Sequence, residues 1–116
     1  MTIDTLQLLW KSYLDAYADI APAERERLLR ESVTDDVVFT SPALEGQGFG
    51  NLVEHIEQFQ KQMPGKYFKS NKILTHHGQL LSDVMLHNKD GSEFRPAQIF
   101  ARFNEQRRLT HVAGFF

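Results

Sequence analysis

Apolar side chains recur at three- and four-residue spacing through the first twenty positions, at Ile3, Leu6, Trp10, Tyr13, Tyr17 and Ile20. A stripe of that period is one face of an α-helix. Thr2 or Asp4 supplies its cap. Ala21-Pro22 interrupts the stripe, and Pro22 suits the first turn of a second helix running to about Ser32, with Leu28 and Leu29 as its buried contacts. Asp35-Asp36 then turns the chain into a short strand, Val37 to Ser41, which Pro42 stops. The next stretch, Ala43 to Gly50, holds Gly46, Gly48 and Gly50 and reads as a loop. Leu52, Val53, Ile56, Phe59 and Met63 predict a third helix from about Asn51 to Met63, ended by Pro64-Gly65.

The remainder is strand: about 67 to 75, Leu80 to His87, Phe94 to Phe103 and Arg108 to Phe116. Asp90-Gly91 is a hairpin signal between two of these. Helices gathered in the first half and long strands in the second predict an α+β domain, with helices packed on one face of a curved antiparallel sheet. Leu80, Val84 and Leu86 alternate with Leu81 and Met85, so the strands are apolar on both faces and want cover on both. Helices cover one face, and a second copy of the chain is the economical cover for the other. Phe100, Arg102, His111 and Phe115 are the outward residues expected at such a homodimer.

With 116 residues and no internal repeat or linker, the chain (1–116) is one domain, large enough to bury roughly 65% of its unfolded surface. Thirteen basic against fifteen acidic residues give a formal charge of −2, which lacks the electrostatic footprint of a nucleic-acid binder. Arg25, Arg27 and Arg30 are interleaved with Glu24, Glu26 and Glu31 and read as a solvated helix face. There is no cysteine, which excludes disulfides and thiolate chemistry. No signal peptide and no membrane span are visible, so a cytoplasmic protein without membrane contact is expected. The five histidines show no zinc-ligand spacing beside a carboxylate, and neither a metal nor another cofactor is expected.

The closing segment, Arg102-Phe103-Asn104 and then Arg108-Leu109-Thr110-His111-Val112-Ala113-Gly114-Phe115-Phe116, carries a resemblance when read with the aromatic first helix. Phe39-Thr40-Ser41-Pro42 and the helix bearing Leu52, His55, Ile56 and Phe59 complete it. Over essentially its whole length the chain resembles the nuclear transport factor 2-like superfamily, especially its SnoaL-like and ketosteroid-isomerase-like branch. The resemblance implies a cone-shaped roll, also called cystatin-like, whose curved antiparallel sheet is packed by three helices and whose wide end is hollow. It implies a small hydrophobic molecule as partner.

In the isomerases of that branch a helix tyrosine and a protonated strand acid form an oxyanion hole, and a carboxylate before a proline moves the proton. The resemblance places these groups at Tyr13, Ile99 and Ser41. Serine does not abstract a proton from carbon without a strong adjacent base, and isoleucine donates no hydrogen bond. Steroid-type enolisation is therefore not expected. The polyketide-cyclase branch loses its acid at the same Ile99, and the Asp-Arg-Asp set of the epoxide-hydrolase branch finds only Asp83 and Arg102.

The polar groups left for the hollow are Tyr13, Ser41, His55 and one of His76 and His77, which point to opposite faces if both sit in a regular strand. His55 shares a helix face with buried residues and serves either as an acid/base group or as a core histidine bonded to a carbonyl. The aromatics line a ring-sized cavity or fill an ordinary core. The candidate lining is Trp10, Tyr13, Tyr17, Phe39, Ser41, His55, Phe59, Ile99, Phe103 and Phe116, with His55 and Tyr13 as candidate catalytic groups. Three functions follow: a pocket protein for an apolar or aromatic metabolite, a dehydratase- or isomerase-like enzyme in the manner of scytalone dehydratase, or a non-enzymatic dimerisation module. Gly114 marks a bend or close backbone approach. Arg107 occupies a turn position where relatives often carry glycine, so a turn of different shape is expected there.

Overall fold

The structure, a computed structural model, describes residues 3–116, so a Thr2 cap and the side chain of Ile3 lie outside the described residues. Three helices, α1 (Ile3–Asp15), α2 (Pro22–Ser32) and α3 (Phe49–Gln62), pack on one six-stranded sheet. The strands are β1 (Val33–Ser41), β2 (Leu44–Gln47), β3 (Tyr67–His76), β4 (Gln79–His87), β5 (Glu93–Phe103) and β6 (Leu109–Phe115), in the order β2-β1-β6-β5-β4-β3. This is the expected α+β arrangement of a curved, unclosed sheet under three helices. One pair departs from it: β1 runs parallel to β6, because the long excursion through β2, α3, β3, β4 and β5 returns the chain beside β1 in the same direction.

Alternation decides which side chains meet the helices. Leu80, Ser82, Val84 and Leu86 of β4 and Ile99 and Ala101 of β5 are buried under them, while Arg102 is exposed and Phe100 half-buried on the other face. The phase inferred for β5 is the one observed. Leu80, Val84, Ile99 and Ala101 make one contiguous core with Trp10, Tyr13, Leu29, Leu52, Ile56 and Leu109.

Several boundaries differ from the periodicity. α1 stops at Asp15, so Tyr17 and Ile20 lie in the turn after it. Pro22 has no N–H to offer the Ala18 carbonyl, so a continuing helix would leave that carbonyl unpaired. Arg25 is not on a solvated face: it is 5% exposed, and its guanidinium donates to the carbonyls of Ala16 and Ala18, both at 2.9 Å. β1 begins at Val33, four residues early, and Asp35-Asp36 falls inside a bulge between the paired residues Val33 and Val38. The glycine-rich loop contains a strand, since β2 pairs with β1 across Pro42-Ala43 and α3 starts at Phe49.

The histidine pair is also corrected. His76 ends β3, but His77 takes a positive φ of 48° in the turn, which abolishes the alternation. The two rings meet, Nδ1 to Nδ1 3.1 Å, and both side chains are exposed. Arg107 adopts the left-handed conformation with φ of 62°, so the turn has the glycine-type shape with arginine in it. None of the described helices is long and apolar enough to cross a membrane.

Candidate functional site

Between α3, the inner face of the sheet and the turn after α1 the core does not close. Two adjoining cavities remain, a deeper one of about 100 Å³ and an outer one of about 180 Å³. Ser41, His55, Phe59, Phe68 and Phe116 line both, so they form a throat and its mouth.

The throat begins with two tyrosines. Tyr13, in the last turn of α1, is fully enclosed, and its hydroxyl lies 2.8 Å from that of Tyr17, oxygen to oxygen. Tyr17 belongs to the irregular segment after α1 and is held by its neighbours. Arg25 grips the carbonyls on either side of it, and the Gln60 side-chain amide of α3 donates to its own carbonyl at 2.6 Å. Gln60 also donates to the Lys66 carbonyl and accepts from the Gly65 N–H, which ties this turn to the end of α3. Burial raises both phenol pKa values, that of Tyr17 to about 12 and that of Tyr13 well above its ordinary range, with the neighbouring phenol adding to the latter. Both are neutral donors at pH 7. One proton is used between them, which leaves a second hydroxyl hydrogen to donate elsewhere.

His55 faces them from the first half of α3. Its ring stacks on Phe39 of β1, with centroids 5.4 Å apart and planes 23° apart, and meets Tyr17 edge-on at 6.3 Å. Partial burial lowers its pKa, so the neutral imidazole is the resting form at pH 7. Phe59, one turn along α3, stacks on Phe68 of β3 and meets Tyr17 at 5.6 Å. The deep wall is completed by Ile99, Val112 and Gly114.

Of the ten residues expected from the sequence, Tyr13, Tyr17, Phe39, Ser41, His55, Phe59, Ile99 and Phe116 line this space. Trp10 and Phe103 do not. Trp10 is fully enclosed beneath Tyr13, its Nε1 without a partner, beside a separate groove between α1 and β3. Phe103 lies at the opposite end of the sheet with Gly78 and Arg107. Neither His76 nor His77 contributes, since the turn that carries them is at that far end as well. Unforeseen wall residues are Phe68, Leu86, Ala97 and Met63, with Gln58, Gln62 and Arg95 at the mouth. Parity with buried Leu86 would have found Phe68 and Arg95, which pair directly with it on either side.

The lining holds hydroxyls, one imidazole, amides and one guanidinium, and no carboxylate. Among the described residues no group of acidic or histidine side chains is arranged to hold a metal ion.

The open sheet under three helices is shared with solved structures. A SnoaL-like family protein from Agrobacterium tumefaciens strain C58 superposes with a TM-score of 0.88 at 19% identity, over 97% of each chain. The chain has the nuclear transport factor 2-like fold. A SnoaL-like protein of unknown function from Burkholderia thailandensis matches at a TM-score of 0.75 with 15% identity, over 98% of this chain and 96% of that one. A protein with the ketosteroid isomerase-like fold from Catenulispora acidiphila, in complex with trimethylamine, matches at 0.75 with 11% identity, over 93% and 84%. No family model and no curated protein matches the chain by sequence. Tyr13, Ser41 and Ile99, the positions at which the resemblance places the isomerase groups, all line the deeper cavity.

Proposed function

We propose that this protein binds a small apolar or aromatic molecule in the space between α3 and the inner sheet face. The observation that carries the reading is the pair of adjoining cavities walled by Tyr17, Phe39, Phe59 and Phe68, with the Tyr13–Tyr17 hydroxyl pair at the inner end. Concave, mostly apolar space with a few convergent polar groups is where small ligands bind. The unfilled interior also weighs against a module that serves only to hold partner proteins. Titration with indole, followed by heteronuclear NMR, tests the reading. Shifts confined to residues around His55 and Phe59 are expected, and Phe59→Trp, which fills the throat, should abolish them while leaving the circular dichroism unchanged. Indole that shifts nothing, or shifts the Phe59→Trp variant equally, refutes it.

A second reading, an enzyme of dehydratase or isomerase type, is favoured by one feature. A neutral imidazole and a buried phenol pair line the same throat, so a base and a hydrogen-bond donor to a developing oxyanion are both present. The test is turnover of a bound ligand in the parent against His55→Gln and Tyr13→Phe, with binding measured in parallel. Loss of turnover with binding retained supports the enzyme.

The homodimer belongs to the same proposal. On the outer sheet face Leu74, Leu81, Phe100 and Ala113 are direct cross-strand neighbours and form an unbroken apolar row, with Leu74 and Leu81 exposed. An apolar row in register across four strands suits the same row of a second copy. Light scattering at tens of micromolar should give twice the chain mass, and Leu81→Asp should halve it. A monomer mass for the parent refutes the dimer.

A further inference from the structure

We propose that the ligand of this cavity is a one- or two-ring aromatic carboxylate whose acid group lies at the mouth against Arg95. The inference rests on the binding reading above and adds a size and a charge to it. Size comes from the volumes. An apolar cavity of about 150 Å³ suffices for benzene, and the mouth and throat here measure about 180 and 100 Å³. One ring, or two fused rings, fills that space, whereas a four-ring nucleus exceeds it.

Charge comes from Arg95. It stands on the inner side of β5 directly opposite Leu86, two residues before Ala97, and lines the mouth with both. Arg95 is exposed at the mouth, whereas its cross-strand partner Leu86 is buried. No ion pair among the described residues joins Arg95 to a carboxylate, and no acidic side chain among them lines either cavity. A second cation strengthens the local field. The Lys66 ammonium lies 4.6 Å from the centre of the Phe94 ring, and the Arg95 guanidinium lies 5.4 Å from the same centre. Lys66 likewise has no ion-pair partner among the described residues. An unpaired cation at the mouth of an apolar hollow, with a second unpaired cation against the neighbouring Phe94 ring, selects an anion that carries an apolar body. The guanidinium fork matches a carboxylate geometrically, and the Gln58 and Gln62 amides, also at the mouth, supply further donors.

The test uses the intact protein and three probes: 3-phenylpropionate, its amide 3-phenylpropionamide, and neutral indole, each titrated calorimetrically at low salt. The carboxylate should bind roughly three- to tenfold more tightly than the amide, the range for a partly solvated ion pair. That preference should shrink in 0.5 M salt (a condition chosen for strong screening) and vanish in Arg95→Gln, whose circular dichroism should match that of the parent. Equal binding of acid and amide, with indole still bound, overturns this inference and leaves the binding reading standing. A preference that survives in Arg95→Gln overturns the assignment to Arg95. Failure of all three probes, indole included, overturns both.

Discussion

Phe39 lies over the backbone of Gly46, its direct partner across the β1–β2 ladder, so closely that a β-carbon on Gly46 would come within 2.5 Å of the ring's Cζ. The same ring stacks on His55. A glycine in a four-residue edge strand thus sets the position of an aromatic side chain, and that side chain sets one wall of the candidate site. Gly46→Ala should force the ring toward His55 and into the throat. The expected cost is about 1–3 kcal/mol, the range for overpacking a filled site, together with loss of indole binding. Chemical denaturation and titration of the variant check both. An unaltered midpoint and unaltered binding would show that the ring moves freely.

Burial lowers the pKa of His55 below its ordinary value near 6.5. The unfolded chain therefore binds the proton more readily than the folded one. The stability linked to this group is complete above about pH 6.5 and is lost as pH falls through that value toward the lower folded pKa. Denaturation midpoints measured between pH 7.5 and 5 should fall more steeply for the parent than for His55→Gln. Parallel slopes would mean that His55 titrates alike in both states.

Arg25 is enclosed and donates to two carbonyls of the turn that carries Tyr17. Arg25→Met keeps much of the apolar stem and removes both donors. The expected loss is roughly 1.5–3 kcal/mol, as for hydrogen bonds from a charged group. Exchange protection of amides in residues 16–20 should fall by more than that of the sheet. A uniform loss across the chain would point to packing instead of the cap.

Arg107 holds a left-handed backbone with φ of 62° at the β5–β6 turn. An L-residue there loses roughly 1–2 kcal/mol that glycine does not, offset in part by the greater freedom of glycine in the unfolded chain. Arg107→Gly should therefore raise stability by about 0.5–1 kcal/mol. Thermal unfolding at fixed pH measures it. A lowered midpoint would show that the arginine side chain stabilises the turn by more than its backbone strain.

The sequence by itself determined the elements whose evidence is local and periodic. The stripe from Leu6 to Tyr13, Pro22 at a first turn, Pro64-Gly65 at a helix end and the alternation along β4 and β5 each follow from repeats of 3.6 or 2 that a single segment carries. Because strand parity is absolute, knowing that Ile99 faces inward placed every other β5 residue. Tyr13, Phe39, Ser41, His55, Phe59 and Ile99, six of the ten residues named for the cavity, sit on helices or strands and line it, whereas Tyr17 and Phe116 line it from outside any element. What only the tertiary structure decided depends on groups distant in the chain meeting. The mixed charges of α2 give no sign that Arg25 turns inward, because the carbonyls that hold it belong to the turn after α1. The loop around Gly46 becomes a strand only when β1 is present to pair with it. The two histidines at 76 and 77 read as one inward and one outward until the turn between β3 and β4 broke the alternation. The opening at Arg95 is of the same kind, for a cavity is space left by several elements packing at once, and no single segment encodes it.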